Sequence, residues 1–145
     1  DAPMSLMQRV AAIFGVTFLA VAALGFTVTG VAMPGMGETM ESAPRLFGLF
    51  PLNVTHNLVH LAFGLWGVLA ASRHGRAITY AFVSGVLYAI LAGVGAFWPT
   101  MAGIVPIGGY DVGLHLAVAI ALIGCAVYSA TTEGDAAPAT TSPRG

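Results

Sequence analysis

The sequence predicts an all-α integral membrane protein, a bundle of four transmembrane helices. Three observations predict it. The 145-residue chain is 57% hydrophobic and only 8% charged, whereas a soluble domain carries roughly 25% charged residues. Its mean hydropathy is +0.87. Its apolar residues gather into four runs that can each cross a bilayer, a crossing needing about 20 residues. The same composition excludes other classes. There is no lysine and the net charge is -1, so no basic patch exists to bind nucleic acid. The single Cys125 excludes an internal disulfide and a multi-cysteine metal site.

The first run covers residues 6–31, with Arg9 near its start. It is longer than the apolar core of a signal peptide, about 7–15 residues, so it is read as a spanning helix. Asp1 in place of Met points to a trimmed start. A polar segment with Gly and Pro follows, residues 33–45, in which Gly35-Met36-Gly37 reads as a turn. The second run is 50–71, with Pro51 placed as a first-turn proline. A tight turn at 73–76 leads to the third run, 77–98. A Pro- and Gly-marked loop, 99–109, leads to the fourth, 111–130. Residues 1–130 thus form one transmembrane domain. Residues 131–145 are mostly Ala, Thr, Pro, Gly and Ser, and predict a flexible or partner-bound tail.

Arginine sets the expected orientation. Four crossings place both termini and the 73–76 turn on one side, with Arg9, Arg73, Arg76 and Arg144. Arg45 stands alone on the other, near Glu38, Glu41 and Asp111. The positive-inside rule then makes the termini cytoplasmic, and the membrane a bacterial inner membrane. Trp98 and Tyr110 are expected as outer interface anchors, Tyr80 and Tyr128 as inner ones.

Small residues at spacing four predict close helix packing. The third helix carries Ala77, Ala81, Gly85, Ala89 and Gly93. The fourth carries Gly113, Ala117, Ala121, Cys125 and Ser129. The second carries Gly64 and Gly67, and the first Ala11 and Gly15. On this reading Cys125 is a packing residue without redox work.

The polar residues of the second helix are Asn53, His56, Asn57 and His60. They fall at i, i+3, i+4 and i+7, which is one helical face. In the fourth helix Asp111 and His115 are i, i+4 and start from the same side of the membrane. Such groups are costly in lipid and should face protein, water or a ligand. His74 reads as a solvated group beside two arginines. Three readings stay open for the buried face. One is a hydrogen-bond network in which each polar group has a partner. Another is axial ligation of a haem or bacteriochlorophyll, for which imidazole is a common protein ligand and Gly64 and Gly67 leave room. The last is a divalent metal or a proton path with Asp111 as the acidic member; lacking a further close carboxylate, it ranks last, and no metal ligands are assigned.

The run Asn53-x-x-His56-Asn57-x-x-His60-Leu61, with Gly64 and Gly67 after it and Asp111-x-x-x-His115 later, resembles a bacterial family of small four-helix membrane proteins of unknown function. The resemblance covers about residues 6–130. It implies the fold and the importance of the polar face, and no activity. No nucleophile–base pair, phosphate loop or redox dithiol is present, so a non-enzymatic role is expected. The expectation is an accessory subunit embedded in lipid among other membrane subunits, without soluble substrate, and by analogy a photosynthetic reaction-centre or antenna complex. A pigment- or haem-binding protein and a small transporter are the alternatives.

Overall fold

The computed structural model describes residues 3–31 and 39–134. Four helices carry the fold: α1 (Leu6–Thr29), α2 (Val54–Ala70), α3 (His74–Phe97) and α4 (Tyr110–Gly134). Helices α1, α3 and α4 are long and apolar enough to cross a membrane. Helix α2 is a shorter apolar helix of 17 residues, about 26 Å long at 1.5 Å per residue. The sequence assigns it a longer span, from residue 50. Two features cut it short. Residues Arg45–Leu46 (β1) and Phe50–Pro51 (β2) pair as an antiparallel hairpin, so Pro51 lies in a strand and not in a first helical turn. Phe47 and Gly48 both have positive φ, which is how the chain reverses so tightly. Asn53 then caps the helix, so the first helical residue is Val54.

Helix α1 packs chiefly on α2, and α3 on α4. Glycine makes the α1–α2 seam close. A methyl group on Gly15 would meet the Val68 nitrogen and the Gly67 carbonyl carbon, and one on Gly64 would meet Leu19. At the far end of the seam a methyl on Gly25 would collide with the Asn57 amide. Dispersion over such close backbones is what holds helices together in lipid.

The small-residue stripes need correction. In α3 the buried line is Ala77, Ala81, Ser84, Gly85, Tyr88, Ala92 and Gly95, while Gly93 is exposed and Ala89 half-buried. A step of four residues overshoots one turn by about 40°, so a strict spacing-four stripe rotates off its face within a few turns. In α4, Gly113, Ala117 and Ala121 are exposed and Cys125 is half-buried. The packed line there is Asp111, His115, Ala119, Leu122, Ala126 and Ser129. Ala81 and Gly85 do pack, Gly85 lying under Ile123 and Leu122 of α4.

One end of the bundle is stitched by polar side chains. Ser5 and Gln8 form a capping box at the start of α1, and Gln8 Nε2 donates to the Ala71 carbonyl at 3.0 Å. His74 Nδ1 lies 2.8 Å from the Ser5 hydroxyl, so it is a half-buried clasp between α1 and α3 and not a solvated group. Tyr80, expected at the membrane interface, is fully buried and edge-on to Trp66. Tyr128, Trp98 and Tyr110 are exposed. Helix α4 runs on past residue 130 to Gly134; residues 135–145 and 32–38, including the predicted tail contact, Glu38 and the turn at Gly35, lie outside the described residues.

Candidate functional site

The hairpin end of the bundle gathers the polar residues. Asn53 has extended backbone, so it precedes the helix and does not share the helical face with His56 and His60. Its Oδ1 accepts from the His56 backbone nitrogen at 2.8 Å, satisfying an N–H that the first turn leaves free. Its Nδ2 donates to the Ile104 carbonyl at 2.9 Å. One buried amide therefore fixes the start of α2 and ties it to the loop between α3 and α4. His56 and His60 are the third and seventh residues of α2, shallower than a helix from residue 50 would set them.

On α4, Gly109 has positive φ and turns the chain into the helix. Asp111 and His115 follow on its inner face, both 3% exposed. His115 Nδ1 donates to the Asp111 carbonyl at 2.8 Å and lies 3.4 Å from Asp111 Oδ1. A carbonyl only accepts, so Nδ1 carries a proton, and in the neutral ring Nε2 carries the lone pair.

The rings form a closed circuit drawn from all four helices. Phe18 of α1 stacks on His60 at 5.8 Å between centroids. His60 stacks on His56 at 4.6 Å. His56 meets His115 at 5.7 Å, His115 stacks on Tyr88 of α3 at 5.0 Å, and Tyr88 stacks on Phe18 at 5.2 Å. Two cavities flank it. One of about 200 Å³ is bounded by His56, His60, His115, Tyr88 and Met101. The other, about 300 Å³, lies between α1, α4 and the hairpin and also reaches His60, Tyr88, Asp111 and His115.

The expectation that every polar group in this face has a partner is not met. Both ring nitrogens of His56, Nδ1 of His60, Oδ1 of Asn57 and Oδ2 of Asp111 are buried without a hydrogen bond among the described residues. The carbonyls of Pro51 and Pro106 stand near the His56 ring, without a bond of good geometry. Each such orphan costs about 1–3 kcal/mol, and those of His56, His60 and Asp111 gather at the hairpin end of the bundle, a mark of a site. One nitrogen or oxygen from each of His56, Asp111 and His115 lies within 4.8 Å of the others.

Asn57 belongs to a different contact. Its Nδ2 donates to the Thr29 hydroxyl at 2.8 Å and its carbonyl faces Gly25, so it is a seam residue between α1 and α2. Gly64 and Gly67 open no slot for a macrocycle, because Leu19, Gly15 and Tyr80 fill the space beside them. Phe18, Tyr88 and Met101 were not legible as site residues. Tyr88 carried a signal, since it stands seven residues after Ala81 on the small-residue face; Phe18 carried none beyond being apolar. Met101, with φ 45°, is set by a 3₁₀ turn at Met101–Gly103 that the loop composition does not announce.

The fold and this site define a small four-helix membrane protein with a buried imidazole–carboxylate centre at one end. A family described as a domain of unknown function (DUF4383) matches residues 8–128, and the chain belongs to that family. Comparison with curated proteins and with solved structures gives no match.

Proposed function

We propose that this chain is a non-catalytic membrane protein that holds a ligand within the ring of Phe18, His56, His60, Tyr88 and His115. The observation that carries the reading is the convergence there of buried polar atoms without partners, from His56, His60 and Asp111. A network built only for stability would satisfy its own members. Imidazole suits a metal ion, a haem or a bacteriochlorophyll; the filled space beside Gly64 and Gly67 favours the smaller ligand. The apolar outer faces of the helices fit lipid, and would equally serve a neighbouring membrane subunit. An accessory role in a larger complex, a photosynthetic one as its first case, rests on those faces and on analogy. The test is to purify the chain in mild detergent and measure its visible spectrum, its metal content and its organic extract. A stoichiometric ligand that is lost in His56→Ala is expected. A preparation with no ligand of any kind would end this reading.

A proton path is the second reading, and one observation favours it. The hydroxyls of Tyr80, Ser84 and Tyr88 are buried without partners at i, i+4 and i+8 of α3, one line leading from the ring toward the opposite end of the bundle. Liposomes holding the chain and a pH-sensitive dye test it. Acidification driven by a potassium diffusion potential is expected on this reading, and tight vesicles exclude it.

A further inference from the structure

We propose that the ligand is a single first-row divalent metal ion, bound by His56, His115 and Asp111. The proposal rests on the ligand-holding reading above and names the ligand's chemistry. The donor set is two imidazoles and one carboxylate, all buried, from two helices that reach across the bundle. Imidazole with carboxylate suits the ions of the zinc and iron class. His115 is already prepared as a ligand. Its Nδ1 proton is held by the Asp111 carbonyl, which leaves Nε2 free to donate and fixes the ring, the arrangement usual for metal-bound histidine. His56 brings two nitrogens without hydrogen bonds, and Asp111 an oxygen without one.

The spacing fits with a small closure. Metal–ligand bonds of about 2.0–2.2 Å set tetrahedral donor atoms roughly 3.3–3.6 Å apart. One ligand atom from each residue lies within 4.8 Å of the others, so the cluster contracts by ~1 Å at its widest when an ion enters. His60, stacked on His56, also carries a nitrogen without a hydrogen bond and lies beside the cluster. The cavity beside these three histidines, about 200 Å³, has room for a water or small anion on the ion. A divalent charge also answers the buried Asp111 carboxylate, which has no Lys or Arg ion-pair partner among the described residues.

The test uses the full chain in detergent, stripped with a chelator and titrated with Co(II), whose ligand-field bands report its coordination. Expected are one equivalent bound, visible bands of a nitrogen–oxygen site, and a raised thermal midpoint of the unaltered chain. His56→Ala and His115→Ala should abolish the bands, Asp111→Asn should weaken binding about 10–100-fold, and His74→Ala should leave the bands and the stoichiometry unchanged. The midpoint shift is measured on the unaltered chain, so it stands even if the variants fold poorly. Absence of both bands and shift in the unaltered chain overturns the proposal, as does binding that survives His56→Ala and His115→Ala together. A haem, or an organic ligand free of metal, found in the ring in place of a simple metal ion overturns the metal ion and leaves the ligand-holding reading intact. Finding no ligand at all removes both.

Discussion

His56 of α2 and His115 of α4 meet ring to ring, 5.7 Å between centroids, although their helices scarcely pack against each other. The contact exists because α1 and α3 approach between them and leave the centre to side chains. Phe18 and Tyr88 close the circuit from those two helices. The two histidines are therefore held by the whole bundle, and whatever they bind must depend on all four helices.

Asn53 is the first test of that dependence. Asn53→Ala removes the cap on the His56 nitrogen and the bond to the Ile104 carbonyl, and should cost about 1–2 kcal/mol. Asn53→Ser restores the cap alone and should recover part of the loss. Thermal unfolding in detergent measures both. Equal midpoints for the Ala variant and the natural chain would show that neither bond matters.

The glycine seam makes a sharper prediction. Gly15→Ala would push a methyl to 2.6 Å from the Val68 nitrogen, and backbone cannot swing aside as a side chain can. A loss of about 1–3 kcal/mol is expected. Gly93→Ala, with nothing within 4 Å of the new methyl, should be neutral or stabilise the helix by up to ~1 kcal/mol. Ala117→Val and Ala121→Val, on the exposed face of α4, should unfold with the natural chain. Destabilisation by these last two would restore the spacing-four stripe as a packing face.

Tyr88→Phe separates ring from hydroxyl. The ring stacks on Phe18 and His115, while the hydroxyl is buried without a partner. Removing it should leave stability unchanged or raise it by about 1–3 kcal/mol, whereas Tyr88→Ala should be strongly destabilising. A large loss in the Phe variant would mean that a water or ligand holds the hydroxyl.

Orientation is tested by labelling. In a Cys125→Ala background, Thr39→Cys and Ser72→Cys place thiols at opposite ends of the bundle. The arginine distribution predicts that an impermeant thiol reagent outside intact cells reaches position 39 and not 72. The reverse pattern would invert the protein in its membrane and set the histidine ring toward the cytoplasm.

The sequence by itself determined the class. An apolar, nearly uncharged chain has to cover itself with lipid, and four apolar runs leave little choice but a helical bundle. It also marked His56, His60, Asp111 and His115, because a titratable group in an apolar run stands out whatever its neighbours are. What it could not settle was which way each helix turns. His115 and Ala117 lie about 200° apart on a helix, so the polar pair and the small-residue stripe of α4 could not both face inward, and periodicity gave no rule for choosing. Tertiary structure chose the polar pair, by bringing α1 and α3 close enough for Phe18 and Tyr88 to wall it in. It also decided the start of α2. Pro51 satisfies helix and strand patterns alike, and only the pairing of Arg45 with Pro51 and Leu46 with Phe50, closed by the Asn53 cap, sets the first helical residue three positions later. The ring itself is a product of packing across the bundle: its five members come from four separate helices, and a local reading of the chain sees only one helix at a time.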